Sequence, residues 1–198
     1  MNLKVIIMII IIMIIIIIIS AWILYIFLQR KIIRNLFIKT IKNLDKYNIE
    51  YWVDFGTLLG IERDKDIIIG DNDADICIVN TPENLNKFYK NNIGKFAYNN
   101  IYRVYNLSIF GNFFVDLYIP EIVKNQYKIP TGELIDIKLI QPIQKKTIEL
   151  NGHKIKVSLP NKIKDTLINR YGNNWNKKSR HWYTLYLDLP RLKKFGYL

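Results

Sequence analysis

The chain has 198 residues, enough for one domain plus an anchor, and its 29 Lys and Arg against 17 Asp and Glu give a formal charge of +12. The single cysteine, Cys77, excludes an intrachain disulfide and a cysteine-based zinc site. The basic excess suits attraction to anionic lipid or to nucleotide and phosphate substrates, but no basic block interleaved with aromatics marks a nucleic-acid module, so no nucleic acid is expected.

From Val5 to Leu28 the chain is apolar apart from Ser20. At a rise of about 1.5 Å per residue this run crosses the roughly 30 Å hydrocarbon layer of a bilayer. It exceeds the apolar core of a signal peptide, about 7–15 residues, and Ser20-Ala21 is followed by Trp22 and further apolar residues. A retained transmembrane anchor over residues 1–28 is therefore expected. Lys4 precedes it, whereas Arg30, Lys31, Arg34, Lys39 and Lys42 follow it. Positive-inside bias then puts the rest of this single-pass protein in the cytoplasm, with Trp22, Tyr25 and Phe27 as an interfacial belt.

Residues 29–48 read as a juxtamembrane helix, with Ile32, Ile33, Leu36, Ile41 and Leu44 at helical spacing and Asn48 at its end. Glu50–Asp54 reads as a short strand leading to a turn at Gly56, and Thr57–Ile61 as a helix starting there. Glu62–Asp66 is a charged loop. Ile67–Val79 contains a strand whose period of two sets Asp71, Asp73 and Asp75 on one face. Thr81 caps a helix with Pro82 in its first turn. Strands follow near 96–98, 102–110 and 112–118, the last holding Asp116 in an apolar setting. Pro120 and Pro130-Thr131-Gly132 mark loops. Asn151-Gly152 joins strands at 147–150 and 154–157, and a helix opening at Leu159-Pro160-Asn161 runs to Tyr171 and is capped by Gly172. The basic, aromatic tail at 181–198 has no firm assignment. Strands interspersed with helices indicate an α+β domain over 49–180.

Three adjacent carboxylates repel one another, and a fold tolerates them when a hard cation such as Mg²⁺ lies between them. The EF-hand alternative fails, because Ile76 and Pro82 occupy the positions of its glycine and its final glutamate. Gly56 and Thr57 offer backbone N–H groups and a hydroxyl at a helix start, suited to a phosphate. A neighbouring strand carrying Asp116 beside Asp73 and Asp75 would complete a metal cage able to clamp an in-line displacement at phosphorus. Arg63 suits paired phosphate oxygens, or a surface ion pair with Glu62 or Asp66. His153 and His181 read as ordinary residues, and Cys77 as core.

The order Gly-Thr turn, Asp-x-Asp strand, later acid resembles the nucleotidyltransferase fold, a mixed sheet with flanking helices. Gly56-Thr57-Leu58-Leu59-Gly60, Arg63, the cluster at 71–75 and Tyr171-Gly172-Asn173-Asn174-Trp175 narrow the resemblance to the LicD/fukutin family, over about residues 35–180. The chain departs from that pattern at Ile69-Gly70, where Pro-Trp is usual, at Asp64-Lys65-Asp66, and at Asn72. The resemblance implies a membrane-bound transferase, dependent on Mg²⁺ (or Mn²⁺). It would move phosphocholine or ribitol phosphate from a CDP-activated donor to a glycan hydroxyl. By the same resemblance Asp71, Asp73, Asp75 and Asp116 are metal ligands, with Asp73, Asp75 and Asp116 catalytic, and Gly56, Thr57 and Arg63 bind substrate. Fukutin-like relatives set a Golgi-lumenal location against the cytoplasmic one. Transfer of NMP to a small molecule or protein is the enzymatic alternative, and a non-catalytic membrane scaffold the other.

Overall fold

The computed structural model describes residues 3–108 and 111–177. Helix α1 runs unbroken over Leu3–Lys46. No Gly or Pro interrupts this stretch, so nothing stops the helix at the boundary between apolar run and amphipathic segment. The change at that boundary is one of environment. Residues before Gln29 are exposed or half-exposed, and burial then begins: Ile33, Leu36, Phe37, Ile41 and Leu44 face the core at helical spacing. The exposed apolar part is a candidate membrane span. The helix closes where Asn48 takes a positive φ of 50° and the Ile49 N–H donates to the Leu44 carbonyl at 2.9 Å.

The domain is mixed α+β. A five-stranded mixed sheet has the order β1 (Tyr51–Val53), β2 (Asp73–Ile78), β5 (Gly111–Tyr118), β4 (Ile101–Ser108), β3 (Lys95–Tyr98). Only β2 and β5 run parallel; the other neighbours are antiparallel. Helix α2 (Phe55–Asp64) follows β1, and α3 (Pro82–Lys90), capped by Thr81, follows β2. A small sheet of β6 (Glu121–Val123), β7 (Gln126–Lys128) and β8 (Leu134–Asp136) comes next, then the short α4 (Ile137–Ile140). The hairpin β9 (Gln144–Leu150) and β10 (His153–Leu159) and helix α5 (Ile163–Tyr171) complete the described fold.

The main sheet separates two cores. Ala74, Ile76, Phe113, Val115 and Leu117 pack with Ile33, Phe37, Ile41 and Leu44 of α1. On the other face Cys77, Tyr118 and Trp52 pack with Phe55, Tyr127, Ile129 and Ile135. Alternation along β2 and β5 therefore puts every apolar residue of one phase against α1, and the acids on the opposite phase. Trp52 and Tyr127, with ring centroids 4.9 Å apart, tie the small sheet to the acid-bearing face.

The expected elements around 67–79 and 57–66 shift. Strand β2 starts at Asp73, so Asp71 lies in the preceding turn rather than on the strand face. Helix α2 begins two residues before Thr57 and continues through Asp64, because Asp54 caps it and nothing between 57 and 64 breaks it. The strands β6 and β7 form where only a loop is expected. The tail at 181–198 and His181 lie outside the described residues.

Candidate functional site at the head of the sheet

Asp75 and Asp116 are register partners on the two parallel strands, so both side chains stand on the face away from α1. Both are almost wholly buried. Asp73, two residues earlier, shares that face at the half-buried start of β2. Three compensating groups surround the acids. Arg103, opposite Asp116 on β4, donates from Nε to Asp116 Oδ1 at 2.7 Å and from Nη2 to Oδ2 at 3.3 Å. Its guanidinium lies 4.2 Å over the Phe114 ring, which fixes the fork in place. The Tyr118 hydroxyl lies 3.2 Å from Asp75 Oδ1 and 3.5 Å from Asp116 Oδ2. Burial first, then the charges of Asp75, Asp116 and Asp73, push this phenol far above the ordinary tyrosine range, so it stays protonated as a donor.

The third compensating group is the N-terminus of α2. A Cβ on Gly56 would meet Asp71 Oδ2 at 3.1 Å and Asp75 Oδ2 at 3.6 Å. Glycine here leaves space for two carboxylates directly over the first helical turn, where N–H groups lack intrahelical acceptors and the helix dipole favours negative charge. Asp71 thus reaches the site from the turn, although it is not on the strand. The turn is closed by the Asp71 N–H donating to the Ile68 carbonyl at 3.3 Å.

The remaining substrate-site candidates separate. Thr57 is buried and its Oγ1 accepts the Asp75 N–H at 2.7 Å, so it pins α2 to β2. Arg63 pairs with its neighbour Asp64, Nη2 to Oδ2 at 2.9 Å. It stands eight residues after Phe55, about 12 Å along the helix from its first residue.

Behind the site lies a buried cluster that local sequence reasoning missed. Asp54 accepts the Phe55 N–H at 2.8 Å, the Trp52 indole N–H at 3.0 Å, and a forked pair from Arg170 Nε and Nη2 at 3.1 and 2.7 Å. Arg170 Nη1 also donates to Glu133 Oε2, and its guanidinium stacks 4.1 Å over Phe55. Phe55 adopts a positive φ of 50°, an uncommon state for an aromatic residue. The cluster holds that strained start of α2 against the acids. Asp54 was legible as a helix cap next to Phe55-Gly56, and Tyr118 as the same-face neighbour of Asp116. Arg103, Glu133 and Arg170 carry no local signal, since each meets its partner only through the tertiary fold.

Among the described residues no three carboxylate, histidine or cysteine groups converge as a ready metal cage. The donor set is nonetheless all hard oxygen, with Asp75 and Asp116 matched in register and Asp73 and Asp71 at the open end, which fits a hard divalent ion. Arg103, Tyr118 and the helix N-terminus lie against the same carboxylates.

No curated protein matches the chain. Residues 48–127 match the family model of LicD/FKTN/FKRP, nucleotidyltransferase domain, a span from the start of β1 through β7 that contains Asp54, the whole α2 turn, all four acids, Arg103 and Tyr118. Over that segment the chain is similar to the nucleotidyltransferase domain of the LicD/fukutin family.

Proposed function

We propose that the transferase character common to this family takes a specific form here: a membrane-anchored, Mg²⁺-dependent (or Mn²⁺-dependent) enzyme that moves a phospho-alcohol from a CDP-activated donor to a glycan hydroxyl. Phosphocholine and ribitol phosphate are the leading groups. The observation that carries this reading is the matched pair Asp75 and Asp116, facing the open first turn of α2.

The acceptor oxygen forms a bond to the donor's phosphorus as the phosphorus–oxygen bond to the leaving CMP breaks. The acceptor's proton passes to Asp116 or to water. The N–H groups of Gly56 and Thr57 hold a phosphate oxygen, and Arg103 keeps Asp116 oriented. Tyr118 donates to Asp75 and aligns it. A bound Mg²⁺ on Asp73, Asp75 and Asp116, with Asp71 at the rim, would neutralise phosphate charge. Arg63 remains a proposed phosphate contact only if it exchanges Asp64 for the donor.

The flanking positive charge supports a cytoplasmic domain; Golgi-lumenal placement rests on the family resemblance alone. Incubating the full chain in lipid nanodiscs with a panel of CDP-alcohols tests the reaction. CMP release dependent on Mg²⁺ and acceptor is expected. Pyrophosphate release from CTP instead would indicate NMP transfer, and absence of metal-dependent nucleotide binding a scaffold.

A further inference from the structure

Apart from the acids, a cleft of about 690 Å³ lies between the Arg30 turn of α1, the C-terminal end of α2 and the turn end of the β9–β10 hairpin. That volume is within the range of small-molecule sites, about 300–1,000 Å³. None of Asp71, Asp73, Asp75 and Asp116 lines it. The Asn151 N–H donates to the Lys65 carbonyl at 3.4 Å, which ties the hairpin turn to the loop after α2.

The charged groups of the cleft divide into engaged and unengaged. Asp66 takes a fork from Arg34 at 2.6 and 2.5 Å, and Asp64 pairs with Arg63. Arg30 is held through Nε, which donates to the Ile67 carbonyl at 2.5 Å and lies 3.1 Å from Asp66 Oδ2. Its two Nη groups donate to no described residue, although the side chain is only 17 % exposed. Glu62 of α2 and Glu149 of β9 line the same cleft, and neither carboxylate has an ion pair or a hydrogen bond among the described residues. The last carbonyls of α2 add partial negative charge on the side of Glu62.

A guanidinium with free Nη groups beside two uncommitted carboxylates complements a zwitterion. The Arg30 fork suits paired phosphate oxygens, and the carboxylates suit the N–H groups of a primary ammonium. A quaternary ammonium has no N–H and is held by aromatic rings instead, and no aromatic residue lines this cleft. Helix α1 sets the level of the cleft. Arg30 lies two residues beyond Leu28, where the apolar run ends, and five beyond Tyr25. With the hydrocarbon edge between Tyr25 and Leu28, Arg30 stands about 3–8 Å beyond it, inside a headgroup layer of roughly 5–8 Å.

We propose that this cleft seats the headgroup of a bilayer phospholipid carrying a primary ammonium, with its phosphate on Arg30 and its ammonium on Glu62 and Glu149. The inference rests on the reading of α1 as a membrane anchor. It goes beyond the transferase reading, since the lipid is held and not consumed. A bound headgroup joins α1, α2 and the hairpin at the bilayer surface and so fixes the tilt of the domain on its anchor.

The test uses the full chain. Flotation with phosphatidylcholine liposomes reads the anchor. Native mass spectrometry in detergent, with equal amounts of phosphatidylethanolamine, phosphatidylcholine and phosphatidylglycerol, reads the site. Co-flotation is expected, with phosphatidylethanolamine adducts favoured about tenfold over the other two, the weight of one charge-assisted hydrogen bond. Glu62→Gln combined with Glu149→Gln should erase that preference, and neither side chain is buried, so the fold should tolerate the change. Arg30→Gln should weaken all three lipids; Asp66 keeps its Arg34 fork, and thermal melts check that the fold holds. The glutamate pair decides the matter by itself if that variant melts early. Equal adducts of the three lipids, a preference for phosphatidylglycerol, or a preference unchanged in the double variant would each overturn the lipid site and leave the anchor standing. Displacement of the lipid by equimolar free O-phosphoethanolamine would assign the cleft to a soluble ligand and overturn it too. Failure to float would overturn the anchor and the lipid site with it.

Discussion

At Gly60 and Gly56 the requirement is space, and the two glycines serve different ends. A Cβ on Gly60 would lie 2.5 Å from the Asp66 backbone carbonyl oxygen, so Gly60→Ala should cost stability, about 1–3 kcal/mol by urea unfolding in detergent. Gly56→Ala crowds only carboxylates, and should lower transfer activity more than it lowers Tm. Asp73→Asn and Asp116→Asn should abolish turnover while circular dichroism stays unchanged; full activity in either would sink the proposed mechanism. Tyr118 allows a pH argument with a definite sign. Its phenol titrates far above the ordinary value in the fold, so above about pH 10 the unfolded chain loses a proton that the folded chain keeps. Stability contributed by the neutral phenol is complete below that pH and falls above it, by up to about 1.4 kcal/mol per pH unit for one group. Tyr118→Phe should flatten that alkaline slope.

Among the elements, α2 depends most on distant partners. Its first residue is strained, its cap Asp54 is wholly buried, and the balancing charge comes from Arg170 on α5. Removing one partner from such a buried pair typically costs about 3–5 kcal/mol, because the other charge is left uncompensated. Arg170→Met should therefore lower Tm steeply. Arg170→Lys should not restore it, since an ammonium cannot reproduce both the fork on Asp54 and the stack on Phe55. Burial raises the Cys77 thiol well above its usual range on the same core, consistent with a packing role. The β9–β10 hairpin was legible from Asn151-Gly152, and α3 from Thr81-Pro82, because each signal is local. The β6–β7 pair was not, since three-residue strands between prolines carry too little periodicity to register.

For the whole molecule, one helix carries both a candidate membrane span and part of the core. Every buried residue of α1 lies at or beyond Gln29, so deleting residues 1–28 should leave cooperative unfolding of the domain intact while releasing the protein from membranes; sedimentation and thermal melts would measure both. By itself the sequence determined the long apolar run, the α+β class, the Gly-Thr turn and the Asp-x-Asp strand, because each is written in short-range period and composition. It also carried the family resemblance, since the Gly-Thr turn and the Asp-x-Asp strand fall within the one stretch that matches the family model. Only the tertiary structure decided which acids share a face across strands, that Asp71 reaches the site from a turn, and that Arg103 and Tyr118 balance the carboxylates. It alone joined Asp54 to Arg170 and Arg34 to Asp66. Those pairings span 116 and 32 residues of chain, and no local pattern encodes a partner that only the packing of the whole sheet brings within reach.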